Sequence, residues 1–186
     1  MKNMKKSTRA LCEGAILIAL ATVLSLIKLY QMPSGGSIDC AMLPVILFAV
    51  RWGVGYGTGA GFVYGLLQYF VGSGFAIDWA TIIGDYLVAY TFLGFGAGLM
   101  HGKRGGVWLG TAVGGLLRFA VHLFTGAVIW GKWMPDSFLG MTMTNEWVYS
   151  LLYNGSYMLP DIVIVLLLFT LLCKPLGKYF RGEDIA

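Results

Sequence analysis

Apolar residues occur along most of the chain in long runs, which short breaks rich in glycine, proline and charge separate. A helix needs about 20 mostly apolar residues to cross the roughly 30 Å hydrocarbon layer of a membrane. The runs predict six membrane-spanning helices, at about 10–28, 38–51, 54–72, 79–100, 107–131 and 147–173. The second run is short, and we expect it to borrow flanking residues or to lie partly within the protein. The pattern thus predicts an all-α integral membrane protein with a single domain over residues 1–186.

The first span follows a basic start, an arrangement that also occurs in signal peptides. The run is long, contains Glu13 and leads into further membrane sequence. These features favour a helix that is retained, with cleavage as the alternative.

Basic residues are distributed unequally between the two sets of loops. With the N-terminus inside, only Lys28 and Lys132 fall in outer segments, while Arg118 lies within the fifth span. The inner segments hold ten basic residues: Lys2, Lys5, Lys6, Arg9, Arg51, Lys103, Arg104, Lys174, Lys178 and Arg181. Because cytoplasmic loops carry the excess of Lys and Arg, this asymmetry predicts that both termini are cytoplasmic.

Composition agrees with a membrane protein and excludes other classes. Of the 186 residues, 58% are hydrophobic and 12% charged, whereas soluble domains are about 45–50% apolar and roughly a quarter charged. The mean hydropathy is +0.74. A soluble enzyme, a disordered tail protein and a nucleic-acid-binding domain are thereby excluded. The scattered cysteines, Cys12, Cys40 and Cys173, form no CxxC pair and indicate neither a disulfide framework nor a metal site.

The sequence contains no motif that indicates catalysis. GxSxG, HExxH and Walker-type phosphate loops do not occur in it. We therefore expect no catalytic residues, no metal and no cofactor, and we expect that the chain does not itself hydrolyse ATP.

Acidic residues collect toward the outer loops and the outer ends of the spans, where they would attract a cation. For Asp78 and Asp136, an ordinary solvated loop charge is the simpler interpretation. Asp39 and Asp85 each begin an apolar run. A carboxylate in that position can cap the helix, bind a ligand or do both.

The fifth span carries the most informative pattern. Arg118, His122, Gly126 and Trp130 are spaced by four residues and therefore fall on one helix face. Ionisable residues within a span are costly and usually functional. His122 and Trp130, with Gly126 leaving space between them, could form a slot for a flat ring. The alternative is an interhelical histidine and a tryptophan of the interfacial aromatic belt.

Aromatic and amide side chains on other spans add to this face. Tyr149 and Asn154 lie near the start of the sixth span, where a buried amide needs partners and can bind a ring nitrogen or an amine. Tyr64 lies in the third span, and Tyr86 directly follows Asp85. Aromatic faces stack on flat rings and attract cations. Together these residues predict a small, flat heteroaromatic ligand, either cationic or neutral, near the outer leaflet.

Five stretches then carry a family resemblance: MPSGGS, LPVILFAVRWG, GDYLVAY, RFAVHLFTGAVIW and YSLLYNG. They resemble the thiamine-specific S-components (ThiT/YuaJ type) of energy-coupling factor (ECF) vitamin transporters over almost the whole chain. The most specific signatures are HxxxGxxxW, at His122, Gly126 and Trp130, and YxxxxNG, at Tyr149 and Asn154. The resemblance implies a six-helix S-component bundle that captures thiamine at the outer face of a prokaryotic plasma membrane.

The resemblance also implies roles for individual residues. Trp130 matches an aromatic residue that stacks on the vitamin, and His122 matches a residue near the thiazolium ring. Asp85 stands where the family has a glutamate that binds the aminopyrimidine. Tyr86, Tyr149 and Asn154 match pocket residues identically.

Some positions depart from the family pattern. Tyr64 replaces a tryptophan, and Phe75 replaces a tyrosine and so loses a hydroxyl group. Asp39 stands where some members carry a glutamate, and the region around Gly35 lacks a loop tryptophan that some members use. These departures leave the type of pocket intact, but they leave the exact ligand open.

The transport partners are likewise implied by the resemblance. Ala15 and Ala19 form an AxxxA spacing like that by which S-components dock on the transmembrane coupling subunit EcfT. The family mechanism implies that the loop at 28–38 closes over the vitamin. The loaded subunit then docks on the ECF module, where two cytoplasmic ATPases supply the energy.

Two alternatives stay open. The four substituted pocket positions motivate an S-component for a thiamine precursor, an analogue or another vitamin. The second alternative is an autonomous proton-coupled carrier that uses Arg118, His122 and Asp161 without an ATPase partner. If Arg118 is structural, we expect it to pair with Asp161 or Glu13.

Overall fold

The computed structural model describes residues 6–72 and 74–185. Lys2 and Lys5, which contribute to the predicted inner charge, and Ser73, in the break at 72–74, lie outside the described residues. In chain order, the elements are α1 (Lys6–Leu26), β1 (Tyr30–Gln31), β2 (Ser37–Ile38), α2 (Met42–Trp52), α3 (Val54–Phe70), α4 (Trp79–Thr81), a π-helix (Ile82–Val88), α5 (Ala89–Gly98), α6 (Gly106–Val128), a 3-10 helix (Trp130–Trp133), β3 (Ser137–Phe138), β4 (Met141–Thr142) and α7 (Glu146–Phe180).

Helices form most of the described structure, which confirms the predicted all-α fold. The strands are two-residue segments that pair into two antiparallel hairpins in the loops. Helix α4, the π-helix and α5 follow one another without a break from Trp79 to Gly98.

Within the described ranges, four helices are long and apolar enough to cross a membrane: α1, Trp79–Gly98, α6 and α7. Helix α2 has 11 residues, a length of about 16 Å at 1.5 Å per residue. It is buried along nearly its whole length and contacts α1, α3, α5, α6 and α7. The second apolar run is therefore a core helix inside the bundle. The six-span topology with cytoplasmic termini stays a prediction.

Helices α3 and α5 approach each other closely through glycine. A Cβ atom added at Gly61 would overlap the carbonyl oxygen of Tyr90, and one at Gly94 would overlap that of Gly57. Small residues at a crossing let two helix backbones come together. The contact places Tyr64 edge-on to Tyr90, with their ring centroids 4.9 Å apart.

Both hairpins pack on the first half of α7. In the first hairpin, Met32 belongs to a buried cluster with Tyr157 and Met158. In the second, the ring of Phe138 meets those of Tyr149 and Tyr153, at centroid distances of 5.6 and 5.7 Å. The connecting loops at this end of the bundle thus surround the start of α7.

Candidate ligand-binding site

A cavity of about 410 Å³ opens at this end of the bundle. Its volume lies within the roughly 300–1,000 Å³ that is usual for small-molecule sites. The first hairpin, the loop before α4, the π-helix, α6, the 3-10 helix and α7 all contribute to its wall. Most of the large lining side chains are aromatic, among them Tyr86, Trp130, Tyr149, Tyr153 and Tyr157.

The π-helix presents Asp85 and Tyr86 to the cavity. π-Helical turns are rare, and they occur frequently at functional sites. Asp85 lies inside this continuous helix, so the interpretation of Asp85 as a helix cap is wrong. The cap is Asp78, whose carboxylate accepts a hydrogen bond from the Thr81 backbone N–H at 2.8 Å. Asp78 is also exposed to solvent, as expected of a loop charge, so capping is a role that it has in addition.

Three side chains hydrogen-bond the Asp85 carboxylate. His122 Nδ1 lies 3.1 Å from Oδ1, and Trp130 Nε1 donates to Oδ2 at 2.8 Å. The Thr125 hydroxyl donates to Oδ1 as well. A carboxylate offers about four acceptor sites. Three donors thus fix its orientation and leave about one site for a donor on a ligand.

His122, Gly126 and Trp130 all line the cavity, as their spacing predicts. Helix α6 ends at Val128, so Trp130 follows it in the 3-10 helix. His122 and Trp130 do not leave an open slot between them, because both side chains converge on Asp85.

Phe75 covers one face of Trp130. Their ring centroids lie 5.5 Å apart, with the planes inclined by 22°. Stacked aromatic pairs have centroid distances of about 4.5–7 Å, so the two rings are in direct contact and leave no room for a third ring. Tyr86 anchors the backbone of Phe75: its hydroxyl accepts from the amide at 2.6 Å and donates to the carbonyl at 3.1 Å.

Asn154 joins α7 to α6 beside the cavity. Its Nδ2 donates to the carbonyl oxygens of His122, at 3.2 Å, and Ser150, at 3.0 Å. Its Oδ1 accepts from the Tyr157 hydroxyl at 2.8 Å. The helices can approach because residue 126 is glycine; a Cβ there would overlap the Ser150 hydroxyl. The amide donors therefore bind protein groups, and only acceptor capacity on Oδ1 is left for a ligand.

The first hairpin reaches over the cavity and is held by Tyr153. The Tyr153 hydroxyl accepts from the amide of Ser34 at 3.0 Å and donates to the carbonyl of Gly35 at 2.9 Å. Gly36 lies against the Tyr157 ring with φ +87°, where a Cβ atom would lie 2.7 Å from ring atoms. The segment implied to close over a ligand thus already contacts α7 in this structure.

Two predicted site residues lie outside the cavity wall. Asp39 is buried and accepts hydrogen bonds from the backbone N–H of Ala41 and the hydroxyl of Ser37, both at 2.8 Å. It therefore orders the turn that leads into α2. Tyr64 is 1% exposed and lies behind Tyr90, which itself lines the cavity.

Arg118 lines the cavity without the partners that we expected. It donates to the Tyr90 hydroxyl at 3.1 Å, and its guanidinium lies 4.5 Å from the centre of that ring. Glu13 instead binds Arg51, at 2.5 Å. No carboxylate of the described residues lies within 4.0 Å of Arg118, so the expected pairing with Asp161 or Glu13 is wrong.

Ten lining residues are not among the predicted ligand contacts: Ser34, Gly35, Gly36, Ile77, Tyr90, Arg118, Trp133, Ser150, Tyr153 and Tyr157. Of these, Arg118 was predicted to share the helix face of His122. Spacing by four residues contained a signal for some of them. Tyr153 and Tyr157 continue the helix face of Tyr149, and Tyr90 follows Tyr86 by four. Among residues 6–72 and 74–185, no group of three His, Cys, Asp or Glu side chains could hold a metal ion.

Comparison with known proteins gives consistent results. A family model described as thiamine transporter protein (Thia_YuaJ) matches residues 11–181. The thiamine transporter ThiT of Bacillus subtilis strain 168 is 33% identical, over 97% of this chain and 98% of that protein. The thiamine transporter ThiT of Lacticaseibacillus paracasei is 26% identical, over 96% and 94%.

A solved structure of ThiT from Listeria monocytogenes has the same fold. The TM-score is 0.79 at 24% identity, and the match covers 95% of this chain and 99% of that one. The fold is thus that of a known membrane protein. Since the family model spans nearly the whole chain and a full-length relative exceeds 30% identity, this chain belongs to the thiamine transporter protein (Thia_YuaJ) family.

Proposed function

We propose that this chain is the thiamine-binding S-component of an ECF-type importer in the plasma membrane of a prokaryote. The observation that carries the proposal is the Asp85 carboxylate, which three side chains orient at the wall of an aromatic cavity. Two full-length relatives are thiamine transporters by name, which supports thiamine as the ligand.

Each end of thiamine has a matching chemical group in the cavity. The aminopyrimidine amine donates to the remaining acceptor site of Asp85. The aromatic walls stabilise the thiazolium cation through their faces. We assign contact with the vitamin to the candidates that line the cavity, Phe75, Asp85, Tyr86, His122, Gly126, Trp130, Tyr149 and Asn154. Tyr64 supports this wall from behind through Tyr90, and Asp39 orders the turn that leads into α2.

Binding a vitamin alone does not move it across a membrane, so we propose that the energy comes from partners. In this scheme the loaded chain docks on EcfT and two ATPases, and it has no enzymatic activity itself. Ala15 and Ala19 are exposed on α1, next to exposed Ile16 and Leu20. Small exposed residues at this spacing permit close helix contact. Ligand binding and docking then bias the same conformational equilibrium.

The docking step can be tested by co-purification with an ECF module. The double variant Ala15→Leu/Ala19→Leu should lose the module, because the larger side chains hold the helices apart. Ala120→Leu, at an exposed alanine of α6, is the matched control and should retain it. Uptake of thiamine by vesicles that contain this chain without ATPases would contradict the need for docking. It would favour the autonomous carrier.

A related ligand is the second candidate, since the cavity departs from the family pattern at Phe75 and Asp85. Calorimetric titration of the purified protein with thiamine, its pyrimidine and thiazole precursors and riboflavin separates the possibilities. We expect thiamine to bind at least tenfold more tightly than either precursor, because only thiamine carries both the amine and the cationic ring. If a precursor or riboflavin binds more tightly than thiamine, that compound and not thiamine is the ligand.

A further inference from the structure

A second cavity, of about 500 Å³, lies at the opposite end of the bundle. Four separate segments form it: Lys6 at the start of α1, Val50 and Arg51 near the end of α2, the turn His101–Arg104 between α5 and α6, and the C-terminal residues from Phe180 on. All four segments belong to the predicted cytoplasmic side. The fold therefore brings into one cavity basic residues that are far apart in the sequence.

Several cations of this cavity have no acidic partner. Arg51 binds Glu13 and Asp184, and Arg181 binds Glu183 at 2.6 Å. By contrast, across the described parts of the chain no carboxylate lies within 4.0 Å of the side-chain nitrogens of Lys6, Lys103 or Arg104. The cavity thus presents three uncompensated positive charges.

The start of α6 adds to this positive field. Helix α6 begins at Gly106, two residues after Arg104, and has neither a side-chain cap nor an acidic residue in its first turn. The N-terminus of a helix carries a partial positive charge. The basic residues beside it repel that partial charge, so this grouping of positive charges is electrostatically unfavourable without a ligand. A bound anion would make it favourable.

Exposed apolar side chains that follow Lys6 and Arg104 by five residues in the sequence indicate the source of the anion. Leu11, on α1, is 67% exposed, and Leu109, in the first turn of α6, is 46% exposed. In a membrane protein, such residues meet lipid chains. Basic pockets between helices on the cytoplasmic side are suited to acidic lipid headgroups. We propose that the cavity around Lys6, Lys103 and Arg104 binds the phosphate of an anionic phospholipid whose acyl chains lie along α1 and α6.

The test measures lipid binding to the full-length protein. The protein is first delipidated in detergent, and native mass spectrometry then monitors the binding of lipid. Short-chain phosphatidylglycerol is compared with short-chain phosphatidylcholine and with glycerol phosphate. We expect wild type to retain phosphatidylglycerol at least tenfold more tightly than the other two. Lys103→Gln/Arg104→Gln should lose this preference at least tenfold. The matched control, Lys174→Gln/Lys178→Gln, removes the same charge from exposed residues of α7 outside the cavity and should retain it.

Other outcomes overturn the proposal. An equal loss in the control variant would show that only the general charge of this face attracts lipid. Equal binding of glycerol phosphate would assign the site to a soluble anion, and equal binding of phosphatidylcholine would remove the role of charge. Binding by Lys103→Gln/Arg104→Gln at wild-type strength would exclude the cavity. Because the vitamin site lies at the other end of the bundle, unchanged thiamine binding verifies that each variant is folded. Lys6→Gln tests the lipid site independently, since it should also weaken the binding of phosphatidylglycerol.

Discussion

At the scale of single residues, the candidate site depends on how a carboxylate is held. Asp85 is mostly buried, with 13% of its side chain exposed, and each of its oxygens accepts a hydrogen bond from another element. A buried charge is costly unless it is hydrogen-bonded. Its three donors reduce this cost and also aim the carboxylate.

Asp85→Asn should weaken thiamine binding by roughly 10–100-fold, the equivalent of about 1.5–3 kcal/mol for a hydrogen bond to a charged group. The neutral amide also turns a donor toward the Trp130 N–H or the Thr125 hydroxyl. Calorimetric titration measures the change. Asp78→Asn is the matched control, since asparagine also caps helices and Asp78 does not line the cavity. Unchanged binding in Asp85→Asn would remove this carboxylate from the site.

The residue patterns predicted which side chains line the cavity better than they predicted the hydrogen-bond partners of those side chains. The spacing of His122, Gly126 and Trp130 placed them on one face because helix periodicity is local. The different roles of Asp78 and Asp85 could not be predicted, since both precede apolar residues. What separates them is the π-helix, where Gly84 packs against Thr125 of a distant helix.

At the scale of elements, the first hairpin forms part of the cavity wall. Its tip contributes Ser34, Gly35 and Gly36 to the cavity wall. Two hydrogen bonds connect the tip to Tyr153 of α7, so these bonds must break if the hairpin opens.

Tyr153→Phe should therefore increase the rate of thiamine dissociation by about tenfold, since each lost bond is worth about 0.5–1.5 kcal/mol. Stopped-flow fluorescence after dilution of the complex measures this rate. Tyr30→Phe removes a hydroxyl from an exposed tyrosine of the same hairpin and should leave the rate unchanged. Equal rates in wild type and Tyr153→Phe would mean that the hairpin does not limit release.

The crossing of α3 and α5 is a second element-scale determinant. Gly61→Ala should lower the free energy of unfolding by about 1–3 kcal/mol, as is typical of overpacking, because the new methyl group meets the Tyr90 backbone. Thermal unfolding in detergent measures the change. Gly59→Ala, where a Cβ would meet nothing within 4 Å, should be neutral or stabilising, by up to about 1 kcal/mol. A Gly61→Ala variant as stable as wild type would contradict the close contact.

The ends of the helices show which features of the fold the hydropathy pattern can predict. The last span was predicted to end at 173, yet α7 continues to Phe180 through Lys174 and Lys178. Hydropathy reports where a chain leaves apolar surroundings, whereas a helix ends where its backbone hydrogen bonds end. The hairpins were not predicted, because their two-residue strands depend on packing against α7 rather than on an alternating pattern.

At the scale of the whole molecule, an ion-pair cluster connects the two ends of the chain. The side chain of Arg51 is fully buried and binds Glu13 of α1 and Asp184 near the C-terminus. Its guanidinium lies 3.4 Å from the centre of the Tyr179 ring, and Arg9 also binds Asp184. The cluster thus holds α1, α2 and the C-terminal turn together.

Arg51→Gln should destabilise the protein by about 1.5–3 kcal/mol, because it removes the charge-assisted hydrogen bonds to Glu13 and Asp184. The hydrogen bonds from Arg51 lower the pKa of Asp184, since they favour its charged form. A lowered pKa contributes stability that is present above the ordinary value of about 3.9 and is lost as the pH falls through the lowered value.

Thermal unfolding from pH 7 down to about pH 3 should show this loss in wild type and a smaller one in Arg51→Gln. Arg181→Gln breaks an exposed pair and should behave like wild type. Identical stability of wild type and Arg51→Gln would show that the cluster does not hold the chain ends.

Thiamine binding in the aromatic cavity can be measured by intrinsic tryptophan fluorescence, because Trp130 lines this cavity. We predict saturable quenching of the purified protein at submicromolar thiamine, because the ligand contacts Trp130. Trp130→Ala should lose this signal while still unfolding cooperatively on heating, and Trp79→Phe, at a 74% exposed tryptophan outside the cavity, should keep it. The absence of saturable quenching in wild type, or undiminished quenching in Trp130→Ala, would show that thiamine does not bind beside Trp130.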